Sequence, residues 1–150
     1  MRKCWQLAKR SDVAHVMANL RKEDFQEGLA LKGFDIRPWF VENYSQGTTY
    51  VMLTRDNEPG GLMGVDPVGK DEGLIWMVAT PALIDHQFEF LKYSRKWIDE
   101  ACRPYEAVGN LVHAKNEVHL KWLQWCGFTF LRKVNAGPFN EEFYEFMRIC

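Results

Sequence analysis

The chain has 150 residues, 47% of them hydrophobic, and a formal net charge of −1. That length and composition support one domain with one packed core and exclude global disorder. The charge balance argues against broad nucleic-acid binding, which needs a clearly cationic surface to displace counterions. The cysteines are Cys4, Cys102, Cys126 and Cys150, with no C-x-x-C pair, and the histidines are scattered. No metal site is therefore expected, and the thiols are expected to be reduced and buried, as in a cytosolic protein. No run approaches the ~20 apolar residues of a membrane span. The first residues lack the apolar segment of a signal peptide.

Residues 4–8 suit a short first strand. Ser11-Asp12 offers a helix N-cap, and Val13, Val16, Met17 and Leu20 follow at helical spacing. A second helix is predicted over 22–31, with Phe25 and Leu29 on one face and Gly33 as its stop. Pro38 suits the first turn of a short helix within 35–44. Residues 48–54 are β-branched and aromatic and read as a strand. The turn-rich 56–61 leads into a partner strand over 62–65, and a polar turn is predicted over 66–73. Residues 73–80 are almost all apolar, as in a central strand buried on both faces. Pro81 ends that strand, and 82–101 read as the longest helix. A further strand spans 105–114.

The next stretch carries the most information. Asn116 is placed to cap a helix through its side-chain oxygen. Val118, Trp122, Leu123, Trp125 and Cys126 form an apolar stripe, and Gly127 stops the helix. Strands over 128–134 and 143–149 flank a turn at 135–138. Strands interrupted by helices indicate an α/β or α+β sandwich. The crossover through the long helix makes the strands on either side of it, the fourth and fifth, parallel.

This order resembles the GCN5-related N-acetyltransferase (GNAT) superfamily, whose members carry a helix beginning with asparagine and ending in glycine-phenylalanine after the fifth strand. Asn116, His119, Leu123, Gly127 and Phe128 stand at the corresponding places, with Ser11-Asp12 and Gly64 at two others. The run Asn19-Leu20-Arg21-Lys22-Glu23-Asp24, with Glu27, is similar to acetyltransferase-like proteins of short-tailed bacteriophages, which include internal virion (core) proteins. The fold implied is a mixed, mostly antiparallel sheet of six to seven strands flanked by helices.

The resemblance also implies a site. Acetyl-CoA would enter between the splayed fourth and fifth strands and pair with backbone at Trp76, Met77 and Val78. Its pyrophosphate would lie on the loop that opens the long helix, where free N–H groups and the helix dipole favour an anion. Here that loop has no glycine, and Asp85 repels an anion; His86 and Gln87 are the remaining polar contacts, with Asn116 nearby. Leu123 replaces the tyrosine that many members use to protonate the leaving thiolate. The candidate bases are His113, at the end of a strand beside the cleft, His119 on the helix that follows, and Glu27 and Asp24; the last two otherwise bind a cationic substrate or solvate the second helix. His119 is expected at the surface and Cys126 in the core. An exposed Trp122–Trp125 face would mark a protein partner.

Two functions follow from the resemblance. One is acetyl transfer from acetyl-CoA to an amine substrate, on a host protein lysine or N-terminus for example. The other is a catalytically silent protein with a structural (internal virion) or host-protein-binding role. Other virion proteins, or a second copy in a homodimer, are further partners it admits, in the host cytoplasm or the virion.

Overall fold

The computed structural model describes residues 5–85 and 87–150. In chain order the elements are β1 (Trp5–Leu7), α1 (Arg10–Ala18), α2 (Lys22–Lys32), α3 (Ile36–Asn43), β2 (Thr49–Leu53), β3 (Pro59–Val68), β4 (Glu72–Ala79), α4 (Pro81–Asp85), α5 (Gln87–Cys102), β5 (Ala107–His113), α6 (Glu117–Trp125), β6 (Thr129–Ala136) and β7 (Glu141–Ile149). The strands form one seven-stranded sheet in the order β1-β2-β3-β4-β5-β7-β6. Only β4 and β5 run parallel, and the chain between them passes through α4 and α5. The mixed, mostly antiparallel sheet expected from the sequence is present.

The period-2 alternation of strand side chains divides the core between the two faces of the sheet. Val51, Leu62 and Val78 stand side by side across β2, β3 and β4, against Val13, Val16 and Met17 of α1. Met63 and Met77, also paired, belong to the opposite face with Trp97 and Ile98 of α5 and Trp122 and Leu123 of α6. Each fully buried valine or leucine stabilises the fold by about 1.5–3 kcal/mol. Gly64 pairs with Trp76, and a Cβ on Gly64 would meet the indole at 2.7 Å. The glycine is the space into which that tryptophan folds.

Several boundaries differ from the sequence reading. Lys9 precedes the first helix instead of Ser11; its backbone N–H donates to Asp12 Oδ2 at 2.9 Å. Strand β3 runs on through Pro67 and Val68, which pair with Gly73 and Glu72, so the predicted polar turn shrinks to the residues between the strands. The span read as the long helix is covered by α4 and α5, on either side of His86, which lies outside the described residues. The cysteines are a larger correction. Cys102 and Cys150 form a disulfide that ties the end of α5 to the residue after β7, leaving Cys126 as the free, buried thiol among the described residues. Cys4 lies outside the described residues. No helix among the described residues is long and apolar enough to cross a membrane.

Candidate functional site

Beyond its first residues, β5 leaves β4. The two strands pair only at Glu72–Ala107, Gly73–Val108 and Leu74–Gly109. Asn110 is the wedge. Its Nδ2 donates to Ile75 O of β4 at 2.9 Å, and its Oδ1 accepts from Leu111 N of β5 at 2.7 Å. A side-chain amide thus takes the place of the next ladder bonds, and the strands separate. From there β5 pairs only with β7, out to His113.

The wide end of the gap is spanned by α2. Arg21 N donates to Ala79 O at 2.9 Å, and Asp24 Oδ2 accepts from Ala79 N at 2.8 Å, so both backbone groups of that β4 residue are held. One turn later, Glu27 Oε1 accepts from His113 N on β5 at 2.7 Å. Spacing explains the arrangement, because residues three apart share a helix face. Asn116 and His119 are likewise three apart at the start of α6 and close the cluster. Asn116 Nδ2 donates to Asp24 Oδ1 at 3.0 Å, and His119 Nε2 lies 3.2 Å from the same oxygen, outside hydrogen-bonding geometry. Arg21 Nη1 donates to Asp24 Oδ1 at 3.2 Å and balances part of the charge.

These contacts correct three expectations. Asp24 does not solvate α2; it is 2% exposed and accepts hydrogen bonds on both oxygens. His119 is buried rather than at the surface. Asn116 precedes α6 but makes no side-chain cap; its amide reaches across to α2. The other end of that helix behaves as read. Gly127 takes φ +83, its N–H bonds Gln124 O, and Phe128 N bonds Leu123 O. This is the paired-bond closure that a left-handed glycine allows.

Burial pushes the Glu27 carboxyl above the usual glutamate range; Asp24 adds to the effect, while His119 and the bonds from His113 N and Asn116 oppose it. His113 contributes its backbone to the site, whereas its ring lies 2.8 Å from Glu141 Oε1 and stands edge-on to Phe143. Cys126 sits 3.7 Å from Ser94 Oγ, and burial raises its thiol to about 11, which makes it a core residue and not a nucleophile.

Two cavities meet at Glu27. One, of about 50 Å³, lies inside the gap and is lined by Ile75, Met77, Asn110, His119 and Trp122 among others. The other, of about 290 Å³, opens beside it between α2, α3 and β4. Its walls include the acids Asp24, Glu27 and Asp66 and the aromatics Trp39, Phe40 and Trp76. Trp76 and Met77 line both cavities and Val78 the larger one. Backbone groups alternate sides along a strand, so Met77 faces the gap like Ile75 and Ala79 on either side of it.

The pyrophosphate end does not offer a glycine cradle. After Ala79 the chain turns at once into α4, whose Leu83 is buried against Gly60 and Gly61 of β3. Asp85 is exposed at the end of α4. His86 and the side chain of Gln87 lie outside the described residues.

Sequence reasoning missed Asn110 and Glu141, and it gave Arg21 no role beyond a place in the run from Asn19 to Asp24. Asn110 had a signal, a polar residue in the middle of an apolar strand. Glu141 had none, because its contact with His113 depends on a partner distant in the chain.

No protein-family profile matches the sequence, and a comparison with curated proteins finds no match. Solved structures do match. A chimera of the spermidine N-acetyltransferase of Vibrio cholerae with hSSAT aligns over 97% of this chain and 93% of its own, with a TM-score of 0.69 and 9% identity. Ard1 from Thermoplasma volcanium aligns over 97% and 95%, with a TM-score of 0.65 and 15% identity. An acetyltransferase of the GNAT family from Streptococcus pneumoniae aligns over 97% of each chain, with a TM-score of 0.62 and 13% identity. The chain has the GNAT fold.

Proposed function

We propose that this protein transfers an acetyl group from acetyl-CoA to a cationic amine. The observation that carries the reading is the splayed β4–β5 gap opening directly onto a cavity walled by three carboxylates and by aromatic rings. An alkylammonium group is attracted by both kinds of wall. At about 290 Å³ the cavity suits a slender ligand such as a lysine side chain. Spermidine, the amine after which the Vibrio cholerae neighbours are named, is of the same chemical class.

In this reading Trp76, Met77 and Val78 line the path of the thioester, and the Met77 backbone N–H polarises its carbonyl. Glu27, with its raised affinity for a proton, takes one from the ammonium group. The freed amine attacks the carbonyl carbon, the carbon–sulfur bond breaks, and the thiolate leaves to be protonated by solvent. Asp24 and Asn116 hold Glu27 and α6 in position. His113 contributes its backbone N–H, which fixes Glu27. The acceptor we favour is an amine on a host protein, as the phage resemblance suggests.

A second reading rests on a different observation. Arg21 and Asp24 already occupy the Ala79 backbone where the thioester's pantetheine arm would pair, and α4 carries no glycine. These features suit a catalytically silent protein of this fold with an internal virion or host-protein-binding role. Calorimetry with acetyl-CoA separates the two. Saturable binding together with acetylation of a small primary amine, lost in Glu27→Gln, supports transfer. Absence of binding at millimolar acetyl-CoA sinks it.

A further inference from the structure

We propose that Asp24, Glu27 and His119 form a binding site for one divalent first-row metal ion, of the Zn²⁺ or Mn²⁺ kind, with Asn116 at its edge. The first observation is the grouping itself. One ligand atom from each of Asp24, Glu27 and His119 falls within 4.8 Å of the others. Metal–ligand bonds of about 2.0–2.2 Å place neighbouring donors about 3–3.5 Å apart, so the three side chains would draw in by about 1 Å or more around the ion. The second observation is independent of the acids. His119 Nε2 and Asn116 Oδ1 are buried with no hydrogen-bond partner, on side chains only 4% and 1% exposed. His119 Nε2 is aimed into the cluster, 3.2 Å from Asp24 Oδ1 but outside hydrogen-bonding geometry, and leaving it so costs free energy that a cation would recover.

The donor set selects the ion. Two carboxylate oxygens and an imidazole nitrogen are harder than the thiolate sets that hold copper(I) or iron–sulfur clusters. The nitrogen in turn disfavours Ca²⁺ and Mg²⁺. Asp24 and Glu27 bring two carboxyl groups to the site against the single Arg21 guanidinium, and His119 adds a ring nitrogen. Access runs through the larger cavity, which Asp24 and Glu27 line. The ion would join α2 to α6 across the gap, so its presence should stabilise the fold whether or not acetyl transfer occurs.

The test uses the full chain, stripped with EDTA and dialysed, titrated separately with ZnCl₂ and MnCl₂ in a calorimeter and with CoCl₂ in a spectrophotometer. One ion per chain, visible Co²⁺ bands, and at least tenfold weaker Zn²⁺ binding in His119→Gln are the expected results. An affinity unchanged in His119→Gln means an adventitious surface ion only and overturns the site, as does a stoichiometry far below one. If His119→Gln fails to fold, the wild-type Co²⁺ spectrum still decides, because absence of the bands refutes the site. Acetyl-CoA binding and transfer are measured on the EDTA-stripped chain, in which Glu27 is free to act as a base, so the failure of either reading leaves the other standing.

Discussion

Replacing Asp24 with asparagine preserves the shape of the side chain and removes its charge. The carboxylate now accepts from Ala79 N, Arg21 Nη1 and Asn116 Nδ2, and both it and Arg21 are almost wholly buried. An asparagine supplies one acceptor oxygen and turns an N–H₂ group toward donors. Arg21 would then be a buried cation whose remaining anionic contact is Glu23, 3.4 Å away and half exposed. Removing one member of a buried ion pair costs about 3–5 kcal/mol. The surviving Glu23 contact puts the expectation near the lower end, about 3 kcal/mol. At about 2–4 °C per kcal/mol for a chain of this size, the thermal midpoint should fall by about 6–12 °C. Circular dichroism melts in EDTA measure it, with Glu42→Gln in the exposed Arg10–Glu42 pair as a control that should barely move. A loss below about 1 kcal/mol for Asp24→Asn would mean that this cluster does not hold α2 to the sheet.

Glu27→Gln should act in the opposite direction, and in a pH-dependent way. The Glu27 carboxyl titrates above its ordinary value of 4.5 when folded, because burial disfavours the charged form. Below 4.5 the group is neutral in both states and costs nothing. As pH rises from there through the folded value, the unfolded chain ionises first and the fold loses stability relative to it. Glutamine still accepts from His113 N, so the variant should gain on wild type near neutrality and not at acid pH; an equal difference at both ends refutes the assignment. Reducing the Cys102–Cys150 bond, which closes a loop of 48 residues, should cost about 3–4 kcal/mol in urea melts, and an unchanged midpoint would mean that the bridge does not form in solution. Cys126, raised to about 11, should resist iodoacetamide at pH 8 until the protein unfolds; labelling at the unfolded rate would contradict its burial.

The frame was legible where periodicity was strong. The apolar β4, the amphipathic α5 and the glycine stop at Gly127 all follow from spacing and local steric rules. The polar character of 66–73 misled the reading of β3, because the strand continues through Pro67 and Val68 before it turns. The site was only half legible. Asp24 with Glu27, and Asn116 with His119, are two polar pairs at helical spacing, and each pair alone looks like a solvated face. Their meaning arises when α2 and α6 meet across the gap, joining residues 92 positions apart. The disulfide was hidden for the same reason. It depends on two Cα atoms coming within 5.5 Å, which no spacing in the sequence specifies.

The gap itself sets the sharpest question. Along β4, Ile75 O is taken by Asn110, and Ala79 N and O by Asp24 and Arg21. A thioester arm pairing with this strand therefore has Met77 available and must compete with α2 for Ala79. Displacing the charged acceptor from Ala79 N costs about 1.5–3 kcal/mol, so competition should weaken binding about tenfold or more. If α2 is a plug, Asp24→Ala, studied at a temperature where it stays folded, should bind acetyl-CoA at least tenfold more tightly than wild type. If Asp24 belongs to the binding apparatus, the same substitution should weaken binding. The direction of one calorimetric shift thus decides whether the carboxylate that holds the mouth of the gap blocks the cofactor or serves it.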